Sequence, residues 1–180
     1  MVNTLLIANT GFLLLAAACL IWARWRTRPG PRFTGPCPVG PAFKGWLLNI
    51  WLVGLLLPLA ALALGWDEPL TRLALIPYLV MFALQVLFEL TAWKRWGSPV
   101  WVIVPCLFLP WRLFQVWQGL QLGDHTPLTQ ITLLALFVLW VINIGVHYTN
   151  IPNTMRWNQH PHDARFPSLN DPRVFTKDAQ

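Results

Sequence analysis

The chain is poor in charge. Charged residues are 11% of its 180 positions, and only 7 of them are Asp or Glu. A soluble domain averages about 25% charged residues, so an ordinary soluble enzyme domain is excluded, as is a disordered chain. Cysteine is scarce too. Cys19, Cys37 and Cys106 contain no CxxC pair, which removes a disulfide scaffold, a dithiol redox motif and an iron–sulfur site. The only serines are Ser98 and Ser168, and neither has the G-x-S-x-G context of a hydrolase nucleophile. Glycine-rich phosphate loops are also missing. What is abundant is apolar surface: 56% of residues are hydrophobic and 12 are Trp.

The apolar residues fall into five segments: Thr4 to Trp22, Trp46 to Leu64, about Leu73 to Trp93, about Pro99 to Leu122, and about Leu128 to His147. A helix of about 20 residues crosses the hydrocarbon layer. Leu and Ala dominate and period-2 alternation is absent, so these are helices rather than strands. The first segment has no Lys or Arg before Arg24, and its basic cluster follows the apolar run. That order is the reverse of a cleaved signal and points to a retained span. The expected fold is an all-α polytopic membrane helix bundle.

The charges orient the bundle. Arg24, Arg26, Arg28, Arg32 and Lys44 lie between spans one and two, Lys94 and Arg95 between three and four, and Arg156, Arg165, Arg173 and Lys177 after span five. Asp67 and Glu68, with Arg72, and then Asp124 occupy the alternate connections. The positive-inside rule places the N-terminus outside and the C-terminus inside. The fourth segment carries Pro105, Pro110 and Arg112. A re-entrant fourth segment gives the alternative of four spans, but it would move the basic tail outside. Residues 1–147 thus form the bundle, with a basic, Pro-rich inner loop at 23–45. Residues 148–180 form a polar tail on the cytoplasmic side.

An ionisable side chain at bilayer depth is a functional candidate by default. Glu89 and Arg112 qualify. Gln85 and Glu89, four apart, share one face of span three, while Arg112, Gln115 and Gln118 advance in threes along span four. Gln85 lies about 18 Å and Arg112 about 15 Å from the outer ends of their helices, at 1.5 Å per residue. A Glu89–Arg112 pair beside Gln85 is therefore expected between two antiparallel neighbours, either joining the helices or lining a polar cavity. Asn143 and His147 on span five, with Trp140, are expected to border the same region. His160, His162 and Asp163 are the weak metal candidates: two imidazoles and a carboxylate can ligate a divalent ion, but nothing fixes a third or fourth ligand.

Trp22, Trp25, Trp46, Trp66, Trp93, Trp96 and Trp101 fall near span boundaries, as aromatic belts do. Trp51, Trp111, Trp117 and Trp140 lie deeper and either pack or stack on a flat ligand. The net charge of +6 suits an anionic membrane surface; it does not imply nucleic acid.

In size and aromatic content the chain resembles the porphyrin-binding TspO family. The Pro-Trp-rich stretch of that family has no counterpart in residues 30–45, so no residue is carried over. The stretch from Pro77-Tyr78 through Gln85, Glu89, Pro99 and Pro105 to Arg112, about a fifth of the chain, is similar to an uncharacterised membrane family of cyanobacteria and plant plastids. That resemblance implies a thylakoid or plastid setting and no activity.

The expected function is that of a non-enzymatic integral membrane accessory or assembly protein, partnered by lipids and other membrane subunits. It would reside in a bacterial inner membrane or a thylakoid membrane. One alternative is a protein that binds a hydrophobic ligand or pigment, with porphyrin, chlorophyll or lipid as the cofactor. Another is a membrane enzyme or transporter using Glu89 and Arg112.

Overall fold

A computed structural model describes residues 2–26, 41–92 and 103–157. The protein is an all-helical, polytopic membrane bundle. Helix α1 is Val2–Arg26 and α2 is Pro41–Trp51. A π-helical turn, Leu52–Leu56, joins α2 without a break to α3, Leu57–Leu64. Then come α4 (Pro69–Leu90), α5 (Ile103–Leu120) and α6 (Pro127–Trp157). Among the described residues, four stretches are long and apolar enough to cross a membrane: Ile7–Arg26, Gly45–Leu64, Pro69–Leu90 and Pro127–Thr149. The fifth helix, α5, is diluted by Arg112, Gln115 and Gln118, yet it sits at the centre of the packing.

Local chemistry sets the helix ends. Pro69 and Pro127 occupy first-turn positions, where a missing N–H leaves no bond unmade. The Thr126 side chain accepts the Thr129 N–H at 3.4 Å and caps α6. Gly123, at φ +69°, turns the chain after α5. The His125 ring bonds the Gly119 carbonyl at 2.7 Å, satisfying one acceptor at the end of α5. α6 runs past His147 to Trp157, into what reads by composition as the start of the polar tail. Hydropathy marks where a helix leaves the membrane, not where it stops being a helix.

α5 packs against α4 and α6 and also carries α1. Spans three and four are thus neighbours, as their short connection implies. The principal core joins the α2–π–α3 span to α4, α5 and α6 through Ala61, Leu75, Tyr78, Phe82, Leu109, Leu136 and Trp140. A smaller core holds α1 by Ala16 and Leu20 against Met81, Val104 and Phe108. Near the Pro69 end of α4, Thr71 and Thr129 share a 2.8 Å hydroxyl contact that links α4 to α6.

Prolines decide much of the remaining hydrogen bonding. A proline inside a helix has no N–H to give to the carbonyl four residues back. Pro58 so deprives Gly54, and Pro110 deprives Cys106. In both cases a tyrosine on another helix supplies the donor. The Tyr78 hydroxyl donates to the Gly54 carbonyl at 2.7 Å, and the Tyr148 hydroxyl donates to the Cys106 carbonyl at 2.9 Å. These are both of the chain's tyrosines. Inside a bilayer an unpaired backbone group has no water to turn to, so one phenol ties α4 to the second span and the other ties α6 to α5, where the prolines would otherwise weaken them.

Candidate functional site

The π turn at Leu52–Leu56 places part of the second span beside α6. The Leu57 N–H reaches back five residues to the Leu52 carbonyl. Gly54 lies in this turn because the Trp140 ring is close: a Cβ there would approach two ring carbons at 3.1 and 3.2 Å. Trp140 Nε1 donates to the Tyr78 oxygen at 3.1 Å, while the Tyr78 hydroxyl donates onward to Gly54. The relay fixes both rings.

Those rings make two walls of an aromatic cage, and Phe82, one turn along α4 from Tyr78, makes the third. Within it lies Arg112. The guanidinium carbon is 4.0 Å from the Phe82 ring centre, 4.8 Å from Trp140 and 6.0 Å from Tyr78. Arg112 is 1% exposed. Its Nε and Nη2 have no hydrogen-bond partner. Aromatic faces attract a cation, and the attraction grows when water is excluded. An arginine guanidinium also stacks flat on a ring as a lysine ammonium does not.

Gln85 and Glu89 do share a face of α4, and the Gln85 amide donates to the Glu89 carboxylate at 2.6 Å. The expected contact between Glu89 and Arg112 is replaced by a longer-range attraction. Aromatic rings surround the guanidinium, the Phe82 ring nearest, and Gln85 occupies a carboxylate oxygen. The Gln85 amide oxygen, Oε1, is buried without a partner.

The rest of the polar stripe on α5 faces elsewhere. Gln115 donates to Asn9 Oδ1 at 2.8 Å, and Trp111 Nε1 donates to the same oxygen at 2.9 Å. Phe12 stacks on Trp111, with ring centres 4.6 Å apart and planes 5° from parallel. Asn9 and Phe12 thus hold α1 on α5. Gln118 lines a small crevice with Asn9 and Gln115. On α6, Asn143 accepts from Trp46 Nε1 at 3.0 Å, and His147 Nδ1 meets the Asn143 carbonyl at 3.2 Å. Trp46 is therefore tied into the bundle as well as lying at a span boundary. The expected site residues divide into three neighbourhoods: Gln85, Glu89 and Arg112; Gln115 and Gln118; Asn143 and His147. Trp140, rather than Asn143, brings α6 to the arginine.

Sequence reasoning did not single out Phe82, Gly54 or Asn9. Phe and Gly are common in membrane helices and carry no mark of their own. Asn9 was visible as a polar residue in the first span.

A groove of about 500 Å³ runs along the outside of the bundle between the second span and α6. Trp46, Asn49 and Val53 form one wall, and Ile131, Leu134, Val138 and Ile142 the other. Asn49 is exposed there. A metal-centred porphyrin or chlorophyll in this groove would need an axial ligand, and His147 does not line it. Among the described residues no cluster of three or more His, Cys, Asp or Glu could hold a metal ion. His160, His162 and Asp163 lie outside the described residues.

Searches against protein-family models, curated proteins and solved structures find no match to this chain.

Proposed function

We propose that this integral membrane protein is a non-enzymatic accessory or assembly subunit of a larger membrane complex. The observation that supports this reading is the thin attachment of α1. Only 11% of its membrane-spanning window is buried, and its main neighbour in the bundle is α5. Ile7, Leu14, Leu15, Ile21, Trp22 and Trp25 all point outward. Lipid tails are as apolar as leucine, so a membrane helix gains its place by close packing and hydrogen bonds rather than by fleeing water. A helix with so small an internal interface is suited to packing on a second protein.

The buried polar groups fit this reading. Neither Glu89 nor Arg112 lines the groove or the small crevice. The arginine fastens α5 to α4 and α6, which is a task of assembly. The proposal includes five crossings, an outer N-terminus and an inner C-terminus, and residence in a bacterial inner membrane or a thylakoid membrane. Supporting the orientation is the alternation of basic and acidic connections. The thylakoid option rests on the Pro77 to Arg112 likeness alone.

Purification of the full chain from its native membrane in mild detergent tests the reading. A partner at fixed stoichiometry is expected. A monodisperse chain without one would overturn it.

The groove between the second span and α6 favours a second reading, that the protein carries a hydrophobic ligand. Its volume accommodates an acyl chain or a small flat molecule. Mass spectrometry of the purified protein tests this: a retained small molecule is expected, displaced when Ala135→Phe fills the groove that Ala135 lines.

A further inference from the structure

A third proline-freed carbonyl distinguishes one more place in the bundle. Pro77 lies inside α4, so the Leu73 carbonyl loses its helical donor just as Gly54 and Cys106 do. Those two carbonyls each receive a tyrosine hydroxyl from another helix. The chain has no tyrosine left for Leu73.

Leu73 instead lines a crevice where α1, α4 and α5 meet, together with Pro77, Asn9, Gln115, Gln118 and Leu122. Gln115 is 7% exposed, and its Oε1 is buried without a partner. Its own amide is already given to Asn9. The crevice therefore presents a backbone acceptor and a side-chain acceptor short of donors, with the Gln118 amide beside them. It has about 20 Å³ of free space, enough for one oxygen-sized group. No charged side chain lines it, so nothing there would hold a phosphate or a carboxylate. Leu73 lies about 6 Å along α4 from Pro69, at 1.5 Å per residue. That is just inside the edge of the hydrocarbon layer, within reach of a lipid's glycerol and hydroxyl groups.

We propose that this crevice binds the free hydroxyl of a neutral membrane lipid. The hydroxyl's single proton is shared between the Leu73 carbonyl and Gln115 Oε1, so that both are needed, and its oxygen accepts from the Gln118 amide. Its tail runs along the apolar wall of Pro77 and Leu122. The ligand does for Leu73 what the tyrosines do for Gly54 and Cys106. This site is separate from the partner-binding face of α1 and from the groove on α6.

The test uses the full chain in phosphatidylcholine nanodiscs. Dioleoylglycerol, which has one free hydroxyl, is offered against its acetyl-capped form, and retention is read by native mass spectrometry. The expected result is about tenfold stronger retention of the free alcohol, the worth of one buried hydrogen bond. Gln115→Leu should abolish that preference. Pro77→Ala should abolish it too, since it restores the N–H that Leu73 lacks while favouring the helix. If Gln115→Leu does not fold, Pro77→Ala decides alone. Equal retention of the two lipids, or of neither, means that water fills the crevice and overturns the proposal. So does a preference that survives in any folded variant.

Discussion

The Tyr78 hydroxyl reaches across from α4 to the Gly54 carbonyl, 2.7 Å away, and meets the acceptor that Pro58 leaves open. Both tyrosines of the chain serve a proline in this manner, and the first also positions the arginine cage. Removing this hydroxyl leaves a buried carbonyl unpaired. Tyr78→Phe should destabilise the bundle by about 1–3 kcal/mol, read as a lowered Tm in detergent. Adding Pro58→Ala gives Gly54 a helical donor, and the double variant should regain part of the loss. Strict additivity of the two changes would contradict the pairing.

Tyr148→Phe removes the equivalent bond to Cys106. Tyr148 is 46% exposed and lies at the very end of its span, where interfacial water can reach the freed carbonyl. A smaller effect is expected, about 0.5–1 kcal/mol. The same melting measurement checks it, and an effect larger than that of Tyr78→Phe would count against the burial argument.

Arg112 is held by rings rather than by a carboxylate. Phe82→Leu keeps an apolar side chain but removes the closest face, and should lower stability by about 1–3 kcal/mol. Glu89→Gln preserves an acceptor for the Gln85 amide and should change stability by less than about 1 kcal/mol. Comparison of the two melting temperatures separates a cage from an ion pair. Arg112→Lys should fail to restore stability, because an ammonium cannot stack on Phe82.

Gly54 is required by its neighbour's size. In Gly54→Ala the new methyl would meet the Trp140 ring at 3.1 Å, and the ring is pinned by its bond to Tyr78. A loss of about 1–3 kcal/mol is expected from overpacking. Gly145→Ala, with nothing within 4 Å of the added carbon, should be neutral or gain up to about 1 kcal/mol from helix propensity. Thermal melting of the pair provides the check.

Much of this architecture is legible in the sequence because hydropathy and helical spacing act locally. The spans follow from apolar runs, and the Gln85–Glu89 bond follows from a spacing of four. The burial of Arg112 and Gln115 follows from their place within an apolar helix. The cage was not legible, since which ring covers a guanidinium depends on the rotation of three helices about their axes. A Glu89–Arg112 pair satisfies charge arithmetic, yet Phe82 stands nearer and Gln85 holds the carboxylate. The tyrosine–proline pairs left a faint signal: few tyrosines against several prolines within helices. Reading it needed the contacts between helices.

In the proposed assembly, α1 presents its outer face to another protein. A photo-crosslinking residue at Leu15, on that face, tests it most directly in native membranes, with Leu87 on the exposed side of α4 as the comparison site. One discrete crosslinked protein is expected from Leu15, and mainly lipid adducts from Leu87. Lipid adducts alone from Leu15 would contradict it.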